Sequence, residues 1–301
     1  MTCIACDGVA WGRRVAGVAD FEYGTPEFVD YVACRTCGLI AQDPLPDREA
    51  IPAFYPPDYR LHADADDSFA RLKRWYLAYV ARKLAVHIPP QGRILEIGCG
   101  NGELLRLLRR RGFRDLYGSD FVATGAERLR SAGIAFRCVD IEETFPFEGT
   151  FDAVIMNNVI EHFVDPVLVL RQVRDHLARA GVALLVTPDG DSCERRLFGR
   201  YWAGFHAPRH VHIFTRRSID ALRLRLGFAQ VVVHSMFEPG QWALSVQNLC
   251  QNTPLLRTRL SRGLAWYTMA LTGVLTPCAA IQTALRRGAG LFVTLSLGPK
   301  R

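Results

Sequence analysis

Three groups of side chains in this sequence have the types and spacing to do chemistry. The first is two Cys-x-x-Cys sequences, Cys3/Cys6 and Cys34/Cys37. Thiolates suit zinc, which takes four ligands tetrahedrally, and each pair turns tightly enough for both sulfurs to reach one ion. With all four positions filled by protein, such a site is closed and structural; iron takes the same ligand set. Gly8 and Gly38 follow the pairs, where a knuckle needs a backbone free to adopt positive φ. The second group is the run Glu96-Ile97-Gly98-Cys99-Gly100-Asn101-Gly102. A glycine-rich turn between a buried strand and a helix lets the backbone approach a nucleotide closely. The third is the histidine-rich stretch His206-Ala207-Pro208-Arg209-His210-Val211-His212, with His162 further upstream.

The flanks of the glycine run narrow its ligand. Its spacing is G-x-G-x-G, not the G-x-G-x-x-G of dinucleotide sites. Glu96, two residues before the first glycine, would repel a pyrophosphate but suits a cationic amino acid moiety. S-adenosylmethionine (SAM) carries an ammonium and a sulfonium and has no phosphate. On these residues, and on landmarks that follow in order, the sequence resembles class I SAM-dependent methyltransferases. The landmarks are Leu116–Asp120 as a second strand ending in an acid, Ala135–Ile141 as a third, Phe151–His162 as a fourth with its turn, Gly181–Asp189 as a fifth, Gln230–His234 as a sixth and Leu291–Leu297 as a last, antiparallel strand. The resemblance implies that Glu96, Gly98, Cys99, Gly100, Gly102, Asp120, Phe121, Asp140, Ile141, Asn157 and Asn158 hold the cofactor, with Asp120 on the ribose hydroxyls and Asp140 and Ile141 on adenine.

The cysteine pairs resemble a zinc ribbon, with Phe28–Ala33 as a strand entering the second knuckle. Bacterial methyltransferases that join such a ribbon to this fold share an Asn-Val-Ile-Glu-His-like turn (Asn158–His162), a Trp…His-x-Pro-Arg-His…Phe-Thr segment (Trp202–Thr215) and a hydrophobic C-terminal region. The expected architecture is therefore α/β: a doubly wound, seven-stranded Rossmann-like sheet with a small N-terminal zinc ribbon and a C-terminal hydrophobic helical insertion. The expected divisions are a ribbon at 1–45, a Pro-rich linker at 46–67, a SAM-binding core at 68–240, the helical insertion at 241–288 and the last strand and tail at 289–301.

The elements that must position these groups fit the composition. The chain has 301 residues, 49% of them hydrophobic and 22% charged, which excludes a disordered protein. The first residues lack a signal-peptide pattern, so a cytoplasmic location is expected. Phe69, Leu72, Trp75, Tyr76, Tyr79 and Val80 recur at helical spacing, predicting a helix from about Ser68 to Val86. Residues 191–301 hold 15 Lys/Arg against 4 Asp/Glu, which points to an anionic substrate, carrier or membrane surface. Residues 263–285 contain no charge and predict two helices broken near Pro277, as an acceptor lid, a dimer surface or a membrane-facing patch.

A methyl acceptor with a hydroxyl needs a general base, and histidine suits neutral pH. His210, His206 and His162 are the candidates, in that order, with Arg209 as an anchor for an anionic acceptor and Trp202 as a stacking surface. His206-x3-His210-x-His212 has loose metal-ligand spacing but no carboxylate or cysteine beside it, so a second metal site is not expected there. The turn Asn157-Asn158-Val159-Ile160 lacks the Asn-Pro-Pro-Tyr pattern of nucleobase amino methylation. The ribbon is acidic, the wrong sign for a phosphate-binding module. The expected function is methyl transfer from SAM to a hydroxyl or other heteroatom of a small or carrier-linked acceptor (glycan, lipid-linked or secondary-metabolite). An RNA methyltransferase and a non-catalytic SAM-binding protein are the alternatives.

Overall fold

Two knuckles and three strands build the N-terminal region. Strands β1 (Trp11–Ala19), β2 (Phe28–Cys34) and β3 (Ile40–Gln42) pair antiparallel. In the first knuckle the left-handed residue is Asp7 (φ 56°), not Gly8. Gly8 is needed instead for close approach, since a Cβ there would lie 2.8 Å from Thr36 Oγ1. Gly38 takes φ 78° as expected. The computed structural model describes residues 1–21, 28–55, 68–252 and 266–298. Residues 56–67 of the expected linker, Arg257, Arg259, Arg262, residues 263–265 and the side chains of Phe69 and Leu72 lie outside the described residues.

The core follows as α1 (Ser68–Ala85), β4 (Ile94–Ile97), α2 (Glu103–Arg110), β5 (Leu116–Asp120), α3 (Ala126–Ser131), β6 (Ala135–Cys138), β7 (Phe151–Asn157), α4 (Pro166–Asp175), β8 (Leu177–Pro188), α5 (Cys193–Phe198), β9 (His212–Ile213), α6 (Arg216–Leu226), β10 (Gln230–Met236), α7 (Pro239–Asn252), α8 (Trp266–Ala284) and β11 (Gly290–Ser296). Seven strands form one sheet in the order β10-β11-β8-β7-β4-β5-β6. Only β11 runs antiparallel to its neighbours in it. Strands buried on both faces read as continuous apolar runs. Ile94, Ile155 and Leu184 pack with Val80, Leu105 and Leu129 of α1–α3, while Leu95, Met156 and Leu185 pack with Leu170 of α4 and Leu222 of α6. The chain reverses its direction of strand addition between β4 and β7, and a crevice opens there at the carboxyl ends.

Two expectations change. The ribbon does not end at residue 45 as a unit of its own: β9, from the histidine-rich stretch, pairs with β3 as the fourth strand of its sheet (Ile40 opposite Ile213, Ala41 opposite His212). The C-terminal region is one helix through Pro277, not two broken there. Threonine hydroxyls bond back to carbonyls along it, Thr276 Oγ1 to the Thr272 oxygen at 2.7 Å, and Gly273 one turn before the proline carries no Cβ. Pro277 leaves the Gly273 carbonyl without its helical N–H partner, and none of these back-bonds reaches it.

Candidate active site

At the end of β4 the chain turns through Gly98 (φ 66°), Gly100 (φ 54°) and Gly102 (φ 75°) before entering α2. A Cβ on Gly98 would lie 2.5 Å from Val159 Cγ2, and one on Gly102 2.3 Å from Leu129 Cδ2. Glycine is required at both for conformation and for space. Asp120 at the end of β5 braces this elbow: its Oδ2 accepts from the Gly100 N–H at 2.8 Å and its Oδ1 from the Val122 N–H at 3.1 Å.

The elbow forms one wall of a cavity of about 290 Å³. All eleven residues expected to hold the cofactor except Gly102 line it, including Glu96, Asp120, Phe121, Asp140, Ile141, Asn157 and Asn158. Gly102 caps α2 instead. Glu96 is 3% exposed and its Oε2 has no hydrogen-bond partner. Burial, with the Asp120 charge added, pushes its carboxyl well above the usual range. A buried carboxylate of this kind is completed by a cationic ligand, which restores its charge and its hydrogen bond. The amino acid end of SAM supplies such a cation, so the donor set fits the cofactor.

Residues expected to be a linker close the opposite side. Residues 48–54 form a 3-10 turn whose Arg48 pairs with Asp140 at 2.6 Å, and Arg48, Ile51, Pro52 and Tyr55 line the cavity. The ring of Tyr55 tilts against Phe121, with centroids 5.4 Å apart. The aromatic pair Phe54-Tyr55 inside a Pro-rich stretch was the available signal, since a solvated linker has little use for such side chains.

The acceptor-side residues divide. His162 lines the cavity, whereas His206, His210, Arg209 and Trp202 do not. His162 Nδ1 lies 2.9 Å from the Tyr55 hydroxyl and 3.1 Å from the Arg209 carbonyl oxygen. A carbonyl only accepts, so this geometry assigns the proton to Nδ1 and leaves the lone pair on Nε2. Burial lowers the His162 pKa to about 3, so the ring is neutral. His210 turns inward. Its Nδ1 lies 2.9 Å from the Gly204 carbonyl and its Nε2 3.8 Å from Glu161 Oε1. Glu161 is fully buried with neither carboxylate oxygen hydrogen-bonded, and burial raises its pKa to about 8. The fold thus supplies the carboxylate that the sequence neighbourhood lacked: ligand atoms of Glu161, His162 and His210 lie within 4.8 Å of one another.

Arg209 is not placed as a substrate anchor. It is 1% exposed and its guanidinium is bidentate to Asp20, Nη1 to Oδ2 at 3.0 Å and Nη2 to Oδ1 at 2.8 Å. It also donates to the Phe54 carbonyl and, through Nε, to His206 Nε2. Buried charge demands such pairing. Trp202, 1% exposed, is core: it meets Phe205 edge-on at 5.2 Å, and a Cβ on Gly204 would strike its ring. The ribbon holds this whole segment. Tyr31 donates its hydroxyl to the His210 carbonyl (2.8 Å), Gln42 donates to the Pro208 carbonyl (2.6 Å), and Thr215 donates to the Cys37 carbonyl (3.0 Å).

In the knuckles, Cys3 and Cys37 sulfurs are 3.5 Å apart and those of Cys6 and Cys34 3.6 Å. All four lie within 4.8 Å of one another. Sulfurs about 2.3 Å from a tetrahedral ion stand ~3.8 Å apart, so the donor set fits zinc.

A doubly wound sheet with a glycine elbow and an acid-lined crevice at its switch point defines a nucleoside-binding α/β enzyme. The family of methyltransferase domains matches residues 67–234, more than half the chain, and the chain belongs to that family. Its class is that of the SAM-dependent methyltransferases. The chain is 28% identical over 128 residues to a ubiquinone biosynthesis O-methyltransferase of Psychrobacter cryohalolentis, covering 38% of this chain and 48% of that one. It is 28% identical over 189 residues to a tRNA U34 carboxymethyltransferase of Shewanella piezotolerans, 56% of each chain. The chain spans about half the length of the curated relatives it matches. A solved SAM-dependent methyltransferase from Archaeoglobus fulgidus shares the fold, with a TM-score of 0.50 at 14% identity over 76% of this chain and 100% of that one.

Proposed function

We propose that this protein methylates a hydroxyl, or another heteroatom, of a small or carrier-linked acceptor. The observation that carries the reading is the position of His162, whose ring lies on the wall of the cavity that Glu96 and the elbow also line. When bound, SAM supplies an electrophilic methyl group for in-line displacement. Glu96 would hold the cationic amino acid end, Asp120 the ribose, and Asp140 and Ile141 the adenine. His162 Nε2 would take the acceptor proton, with Tyr55 and the Arg209 carbonyl fixing the ring through Nδ1. His206 and His210 act through the segment they brace. Cys3, Cys6, Cys34 and Cys37 would hold a structural zinc.

The acceptor is not expected to be anchored by an anion. The wall's two basic chains, Arg48 and Lys73, already pair with Asp140 (2.6 Å) and Glu103 (2.8 Å). Neutral hydroxyl acceptors, phenols or sugars, suit it better than a phosphate or carboxylate, and the first relative is named as an O-methyltransferase. The test is methyl transfer from labelled SAM to phenolic, sugar and tRNA acceptors by wild type and His162→Ala. The variant should lose about 10²–10³ in kcat at near wild-type SAM affinity. Unchanged kcat removes His162 as base, and labelling of tRNA alone replaces the small acceptor with RNA.

A further inference from the structure

Helix α8 is built inside out. Its buried face is polar: Thr268, Thr272 and Gln282 are 4%, 7% and 3% exposed. Each of these side chains hydrogen-bonds within the protein, although Gln282 Oε1 is buried without a partner. Thr268 Oγ1 lies 2.5 Å from Gln247 Oε1 of α7, Gln282 Nε2 donates to Glu194 of α5 at 2.6 Å, and Thr272 bonds back to its own helix. The outward face is apolar. Met269 is 40% exposed, Val274 73% and Ile281 62%, Leu285 just past the helix end is 66% exposed, and the exposed Cys278 lies among them. Val274, Cys278, Ile281 and Leu285 follow one another at spacings of 4, 3 and 4 residues, so they form one stripe along the C-terminal half of a helix of 19 residues, about 28 Å long, with Met269 on another side of it. Internal packing does not explain the stripe, because the opposite face holds the helix to the protein.

The charge around the stripe selects its occupant. No acidic residue follows Glu238 in the sequence, while Arg257, Arg259, Arg262, Arg286, Arg287, Lys300 and Arg301 do. Arg286 and Arg287 are exposed at the end of α8, and Arg196 and Arg200 are exposed at and after α5. A second copy docked on this face would set the exposed Arg286 and Arg287 against the same basic side chains of its partner. An anionic surface would be attracted by the exposed Arg286, Arg287, Arg196 and Arg200. No helix among the described residues is long and apolar enough to cross a membrane, which leaves a helix lying in the interface plane.

We propose that the outward face of α8 docks this enzyme onto anionic lipid. The docked unit is one step from the cavity: Glu238, immediately before α7, accepts a hydrogen bond from Tyr76 on the cavity wall at 2.8 Å. Docking would present an acceptor drawn from the bilayer to the same crevice. The proposal is read without turnover, so it stands or falls apart from the methyl acceptor.

The full chain is floated with vesicles of phosphatidylcholine alone and of equimolar phosphatidylcholine and phosphatidylglycerol. Wild type is expected to float with the mixed vesicles and to remain below with the neutral ones, with binding that weakens as salt rises. Val274→Asp/Ile281→Asp should lose at least about tenfold in vesicle affinity, and Arg286→Glu/Arg287→Glu about fivefold per arginine. Each variant's SAM dissociation constant and circular dichroism verify that it is folded. Wild type that stays below both vesicles overturns the proposal, as does binding to both alike. A dimer in sedimentation that Val274→Asp/Ile281→Asp dissociates, without vesicle binding by the wild type, assigns the face to a second copy instead.

Discussion

At the glycine elbow, the groups that face the cavity are set by short-range geometry. Glu96 sits one residue before the end of a four-residue strand, three glycines turn the chain, and Asp120 closes on Gly100 from the neighbouring strand end. In the histidine-rich segment the decisive partners are 155 to 189 residues away: Asp20 and Phe54 on Arg209, Tyr31 on His210 and Gln42 on Pro208. The two stretches carry equally reactive side chains, yet one opens onto the cavity and the other mostly turns away from it. Local chemistry exposes a group when the turn itself makes the site. It becomes scaffolding when a distant element saturates it first.

The strongest way to break this contrast is to remove the distant scaffold. Cys34→Ser should cost several kcal/mol out of the ~10 kcal/mol scale of structural zinc binding, with zinc falling from one per chain. Zinc analysis and thermal unfolding check it, and a variant that keeps both its metal and its midpoint would detach the ribbon from the fold's stability. Asp20→Asn is next. It removes the charge partner of a buried guanidinium and should cost about 3–5 kcal/mol, while SAM affinity measured by calorimetry falls far less, because Arg209 touches the cavity wall only through the Phe54 carbonyl and the His162 ring. A parallel loss of SAM affinity would mean the two regions are coupled. Asp120→Ala reverses the pattern. SAM binding should weaken by at least ~100-fold, about 2.7 kcal/mol, with zinc retained.

Titration sharpens the contrast at smaller amplitude. Burial and then the Gln282 bond set the Glu194 pKa, raised to about 8 from 4.5. A raised acid contributes stability that is full below pH 4.5 and lost as pH rises through 8. Glu194→Gln should therefore flatten the decline in unfolding free energy between about pH 5 and 8 by ~2 kcal/mol. His162 has the opposite sign: its pKa of about 3 gives stability present above pH 6.5 and lost as pH falls through 3. Its neutrality also predicts that kcat has no acid limb near the ordinary histidine value.

The sequence made the elbow, the sheet and the cysteine pairs readable because each is governed by nearby residues: glycine conformation, strand apolarity and ligand spacing. Strand β1 was missed because its Trp-Gly-Arg-Arg-Val pattern, exposed along much of one face, lacks the apolar run that marks a buried strand. The lid at 48–54 was read as a linker because prolines dominate its composition, although its worth lies in Arg48 meeting Asp140, 92 residues on. Arg209 looked like an anion anchor because nothing near it in sequence foretells Asp20. A break of helix α8 at Pro277 was the expectation because a proline inside a helical pattern is a stop signal, and packing of α8 against its neighbours, which nothing local foretells, carries the helix through it.

The pairing of β9 with β3 has a consequence for biosynthesis. The ribbon's sheet leaves the ribosome with its β3 edge bare, and the strand that covers it is made only at residues 212–213. At roughly 5–20 residues per second, that edge waits on the order of ten to thirty seconds. A nascent chain stalled before residue 212 would therefore carry an open edge, making early termination products of this protein targets for chaperones and proteases.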